Sequence, residues 1–218
     1  FKIKIKIVIN IRLLIKNLRA HYDENSCFDE KRQLNLHTKE GKAKFLKHIC
    51  ALSNSNPNNN SYIVVGVEDR DNEIVGTDFY DDSNIQNLVN AFLTNPPKIV
   101  YENIIFPHLE LNKVVGLVTI FPKLEVSYFK TKIYLIEQFT AFSRIGSNTT
   151  PHYEKQLFDN KMLVEDIENN SHNNLKQIIT DVLDFINVTH VNRKPKYEVF
   201  KEYFILCLAG NVKWIRGK

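Results

Sequence analysis

The sequence predicts an α+β fold: a mixed or antiparallel sheet with helices packed on it, followed by a helical tail. Three observations carry that prediction. "SYIVVGV" (61–67) is apolar and β-branched throughout its middle, the signature of a buried strand. "KEGKAKFLKHICALSNS" (39–55) before it places Ala43, Phe45, Leu46, Ile49, Cys50 and Leu52 on one helical stripe. Further apolar runs after residue 97 alternate with turns, so the order β-α-β-β-α-β-β-β-α spans about 140 residues as one layered domain.

Each element has a local cause. Residues 1–20, "FKIKIKIVINIRLLIKNLRA", alternate Lys with Ile at first, and lysines break every apolar run short of a membrane span. They lack the apolar core and cleavage site of a secretion signal. The expectation is a basic leader, disordered or loosely attached, with a strand added to the sheet as the alternative. "CFDEKRQLNLH" reads as extended, and Thr38 is the N-cap of the helix that follows. "NSNPNNNS" (54–61) is a turn by composition.

Residues 61–78 read as a strand, a charged turn and a second short strand. The puzzle is why a core strand runs into Glu68, Asp69, Arg70 and Asp71. A helix over "DSNIQNLVNAFLTN", capped by Asp82 or Ser83, stops before Pro96 and Pro97. Strands are expected in "KIVYENIIFPHLELNKVVGLVTIFP" and "KTKIYLIEQFTAFSRIG", and a short helix in "PHYEKQLFDNK". After Glu165, "EDIENNSHNN" reads as a linker, and 175–187 as an amphipathic helix suited to a dimer interface. The expected organisation is therefore a leader (1–20), one domain (21–165), and a linker with a helical segment (166–218) opening a C-terminal region that continues beyond a fragment.

The net charge of +4 is unevenly spread. Lys2, Lys4, Lys6, Arg12, Lys16 and Arg19 lie in the first 20 residues with no acid. Taking those six from 29 Lys and Arg leaves 23, against 25 Asp and Glu. Basicity belongs to the leader, where a solvated face competes with phosphate contact, and it gives little support to nucleic-acid binding by the rest. Three scattered cysteines and no zinc-spaced His/Cys pair point to a reducing, cytoplasmic compartment and no membrane. Walker A, GxSxG, HExxH and GxGxxG motifs are missing, and His37, His48 and His108 read as surface or capping residues.

Four segments in order resemble the Schlafen-type divergent Alba-like domain, over about residues 22–160. They are "ENSCFDEKR" with Glu24, Asp29 and Lys31, "HICALSNSN" (48–56), "VVGVEDRDNEIVG" (64–76) and "FSRIGSNTTPHYEKQL" (142–157). Two departures stand out: "NPNNNS" replaces the usual Gly pair, and Asp29 stands where the family has Glu. The resemblance implies an Alba-like sheet and nucleic-acid binding, DNA or RNA, in a bacterial regulatory, transcriptional or defence-related protein. In the branch that cuts RNA, three carboxylates act together; the matching positions are Glu24, Asp29 and Glu68, which would hold Mg2+ or Mn2+ to activate water.

Three functions are open at this stage. The first is binding without cleavage, through Lys31 and Arg32 on the opening strand, Lys42, Lys44 and Lys47 on the first helix, and Arg144 with Ser147 and Thr149 in the "RIGSNTT" turn. The second is the metal-dependent endoribonuclease. The third is a protein-interaction or homodimerisation module, in which those lysines are only a solvated helix face.

Overall fold

The computed structural model describes residues 9–21, 26–68, 73–151 and 160–172. Its elements are α1 (Ile11–His21), β1 (Phe28–Lys31), α2 (Lys39–Ser55), β2 (Ser61–Val65), α3 (Asp82–Phe92), β3 (Leu93–Thr94), β4 (Ile99–Ile104), β5 (Val115–Ile120), β6 (Tyr128–Phe129), β7 (Phe142–Ile145), β8 (Asn148–Pro151) and α4 (Lys161–Asn170). The expected helices within 151–161 and 175–187 lie outside the described residues, apart from the termini of the first.

A four-stranded sheet in the order β1-β2-β5-β4 organises the chain. β1 and β2 are parallel and joined through α2, while β2–β5 and β5–β4 are antiparallel. The expected α+β class with a mixed sheet is what the chain forms. Side chains alternate across a strand, and β2 uses both sides. Ile63 and Val65 join the core beneath α2 and α3, with Ile49, Val89 and Val118. Tyr62 and Val64 join a second core with Leu14, Ile15 and Leu18 of α1 and Val164 and Ile167 of α4. The sheet is thus the middle of three layers, which is why 62–65 is an unbroken apolar run.

Here the structure corrects the leader. Residues 11–21 are not a loose arm or an added strand but a helix, with Ile15 fully buried and Leu14 and Leu18 nearly so. Within this helix Arg12, Lys16 and Arg19 stay out of the buried core while Leu14, Ile15 and Leu18 form the apolar stripe, a helical period hidden by the Lys/Ile alternation that precedes it. Residues 1–8 lie outside the described residues. The linker is corrected too: α4 runs through its first half and is fastened to α1, where Asn10 N–H donates to Ser171 O (2.8 Å) and Asn17 Nδ2 to Ser171 Oγ (3.0 Å).

Local capping follows side-chain chemistry. Thr38 Oγ1 accepts from Gly41 N–H at 3.0 Å, as expected. The cap of α3 falls one residue earlier than expected, at Asp81, whose carboxylate accepts from Ser83 N–H at 2.9 Å. The second strand of the 61–78 hairpin shrinks to one bridge, Val67 with Ile74. The run "KIYLIEQF" is likewise a turn closed by an Ile133–Ile136 bridge and not a continuous strand.

Candidate nucleic-acid interface

β1 sorts its charges by alternation. Phe28 and Glu30 face the α1 side, where Glu30 meets Arg19 at 3.2 Å. Asp29 and Lys31 face α2 and β7. Asp29 is 1% exposed, and its Oδ1 accepts from Arg144 Nη2 at 2.8 Å. Its Oδ2 lies 2.7 Å from Lys31 Nζ and 3.4 Å from His48 Nδ1. Arg144, on β7, is fully buried; its Nε donates to Gly146 O and its Nη1 is 3.4 Å from His48 Nδ1.

Polar side chains at the end of α2 lock β7 in that position. Asn54 Nδ2 donates to Ser127 O and Phe142 O, both at 2.9 Å, and its Oδ1 accepts from Ser127 N–H at 2.8 Å. Ser55 Oγ accepts from Arg144 N–H at 2.7 Å. Asn56 donates to Ser26 O and to Leu52 O, and accepts from Asn160 at 2.9 Å. The Asn-rich segment turns at 57–59 as expected, but it is also largely buried, and the amides of Asn54 and Asn56 brace neighbouring backbone.

Glu68 stands elsewhere. Gly66 N–H bonds Lys31 O at 2.8 Å, and the chain turns there at φ 104°. A Cβ on Gly66 would sit 2.9 Å from the Cα of Gly76, so this crossing needs glycine. Beyond the turn, Glu68 pairs with Arg32 at 2.9 Å, and the Arg32 side chain is 66% exposed. The acidic mouth of the strand is thus met by the arginine that leaves the neighbouring strand.

Glu24 lies outside the described residues. The other two carboxylates of the trio are not brought together. Asp29 is level with Ile63, and from there to Gly66 is three residues, about 10 Å of strand. Each is already neutralised by protein cations, and no cluster of three or more His, Cys, Asp or Glu suited to a metal occurs among the described residues. Asp29 would have to give up the buried Arg144 and the half-buried Lys31 to hold a metal, whereas Glu68 is held only by the surface pair with Arg32.

The basic residues also separate. Lys42 lines a cleft between α2 and α3. Lys44 is 71% exposed and pairs with Glu40 one turn back at 2.7 Å. Lys47, nearly one turn on from Lys44 and across the helix from Lys42, holds its Nζ 5.6 Å from the centre of the Phe142 ring. Ser147 is exposed at the tip of the β7–β8 hairpin, where Gly146 has φ 56°. Arg144 does not join Ser147 and Thr149 at the surface: its guanidinium is committed to Asp29 inside the fold. Nothing in a one-dimensional reading of "RIGSNTT" shows a partner 115 positions away.

Sequence reasoning missed His48 as a neighbour of the ion pair, treating it as surface. It also missed Phe79, 70% exposed in the polar segment "GTDFYDDS"; a large aromatic among acids was the available signal. The two described cysteines carry no chemistry. Burial pushes the Cys27 thiol up to about 11 and Cys50 to about 12, so both stay protonated.

A family model described as Schlafen, AlbA_2 matches residues 24–153, more than half of the chain. A second, described as Domain of unknown function (DUF5929), matches residues 162–218. No curated protein matches the chain. The first match begins after α1 and ends before α4, so the helices covering the second face of the sheet come from outside it.

Proposed function

The chain belongs to the Schlafen, AlbA_2 family, and on that premise we propose that it binds nucleic acid through phosphate contacts on the α2 flank. The family match over 24–153 carries the reading. Lys42 on the cleft side of α2, Lys44 on its other side, and Arg32 at the end of β1 offer cations to phosphates that wrap around the helix. Lys39 and Lys42 also sit in the opening turns of α2, where the helix dipole is positive and a cation costs stability. An anion docked beside these lysines would offset that cost. The exposed ion pairs Arg32–Glu68 and Lys44–Glu40 hold weakly and exchange partners readily. Such contacts give affinity to DNA or RNA with little sequence preference, which suits the binding part of a regulatory or defence-related protein.

A labelled structured RNA and a duplex DNA, each titrated between 50 and 200 mM salt, test this. Affinity should fall steeply with salt, and Lys42→Ala with Lys44→Ala should lower the log–log salt slope by about 2. Added Mg2+ or Mn2+ should leave both strands uncut. Affinity that ignores salt, or a slope unchanged in the double variant, contradicts the proposal.

A further inference from the structure

We propose that the cleft between α2 and α3 takes one unpaired nucleobase, stacked on Phe79, so that the nucleic acid bound is single-stranded at that point. This rests on the nucleic-acid reading above. The cleft has a volume of about 610 Å³, within the range of small-ligand sites (about 300–1,000 Å³), and beside the carboxylates of Asp78 and Asp81 it combines three kinds of group that suit a neutral base. Leu36 and Leu88 supply apolar lining beside the exposed ring of Phe79. Asn84 and Asn87, one turn apart on α3 and both exposed, bring amide donors and acceptors of the sort that read a base edge. Lys42, at the other wall, supplies a cation for a neighbouring phosphate.

At 70% exposure the Phe79 ring, at the cleft, is accessible to a stacking partner. A base in a duplex has both faces covered by its neighbours and cannot use it; a base in a single strand can. The path of the strand is also marked. A second cleft, of about 370 Å³, shares Gln33 and Asp78 with the first and is lined by Arg32, His108 and Lys113. Arg32 and Lys113 are held there by surface ion pairs with Glu68 and Asp78, at 2.9 and 2.8 Å. A backbone leaving the base cleft across Gln33 therefore meets cations whose present partners are easily exchanged.

The test uses the full chain, a labelled single-stranded oligonucleotide and the duplex of the same sequence, with wild type, Phe79→Ala and Phe79→Trp. Exposure of Phe79 means the fold tolerates either change, and an unchanged thermal midpoint would verify it. Phe79→Ala should weaken single-strand binding about tenfold, leave duplex binding within twofold, and be rescued by Phe79→Trp. Adenosine monophosphate should not compete at oligonucleotide-like concentrations. Equal loss for both strands, no loss for the single strand, or competition by the free nucleotide overturns this inference while leaving phosphate binding intact. Wild type that binds neither probe in a salt-sensitive way overturns the phosphate reading and this inference with it.

Discussion

The two faces of the central sheet are built on opposite principles. The face under α2, α3 and β7 buries charge: Asp29 and Arg144 meet at 2.8 Å with almost no exposure, braced by Asn54 and Ser55. The face under α1 and α4 is lined mainly by apolar side chains, and its polar contacts include Arg19 with Glu30, Asn17 with Ser171, and Tyr62 O–H to Glu168 Oε1 at 2.5 Å, an acceptor that Asn60 also reaches at 2.7 Å. The exposed cations proposed for phosphate, Arg32, Lys42 and Lys44, belong to elements of the first face, though they do not cluster. α1 also displays Lys16, but Arg19 is already paired with Glu30. The difference teaches that a motif residue is not thereby a ligand. In this chain one motif arginine holds the fold, and the cations beside it reach solvent.

Breaking the buried pair should produce the largest effect. Arg144→Ala removes the buried partner of Asp29 Oδ1, leaving Lys31 and His48 on the other oxygen, and should cost about 3 kcal/mol in denaturant unfolding. Adding Asp29→Leu to Arg144→Met should recover most of that loss, because removing both charges removes the penalty. A phosphate-binding arginine would instead lose affinity with little change in stability.

On the other face, Ile15→Ala should cost about 2–5 kcal/mol through a cavity under α1. Thiol labelling followed peptide by peptide tells the faces apart, since Cys27 lies in the α1/α4 core and Cys50 in the α2/α3 core. Both should resist labelling in the native protein at pH 8, and Ile15→Ala should speed Cys27 more than Cys50. Equal acceleration of the two would mean that the faces open together.

Tyr62→Phe should have a smaller effect, about 1.5 kcal/mol, because Glu168 keeps its bond from Asn60. Smallest of all, Lys44→Ala should change stability by no more than about 0.5 kcal/mol while weakening nucleic-acid binding. A shift of stability and affinity together would blur the contrast between the faces.

The α2/α3 face was the more legible of the two because its signals are local. Thr38 and the stripe from Ala43 to Leu52 lie within one helix, and each can be read without knowing the rest of the fold. The α1/α4 face depends on contacts between residues some 150 positions apart, such as Asn17 with Ser171. One clue was available: Tyr62, Ile63, Val64 and Val65 are apolar on both sides of a strand, which demands a layer on each face. Arg144 resisted reading for a different cause. Its meaning is set by Asp29 on a distant strand, and a surface hairpin and a buried anchor have the same local composition.

Amide hydrogen exchange of the full chain, with and without a saturating single-stranded oligonucleotide at low salt, tests the division of the faces most directly. Protection should appear at residues 31–33, 37–48 and 76–91, with none gained at α1 (Ile11–His21) or α4 (Lys161–Asn170). Protection centred on α1 and α4 instead would place the ligand on the face assigned only to holding the fold, and would contradict the account.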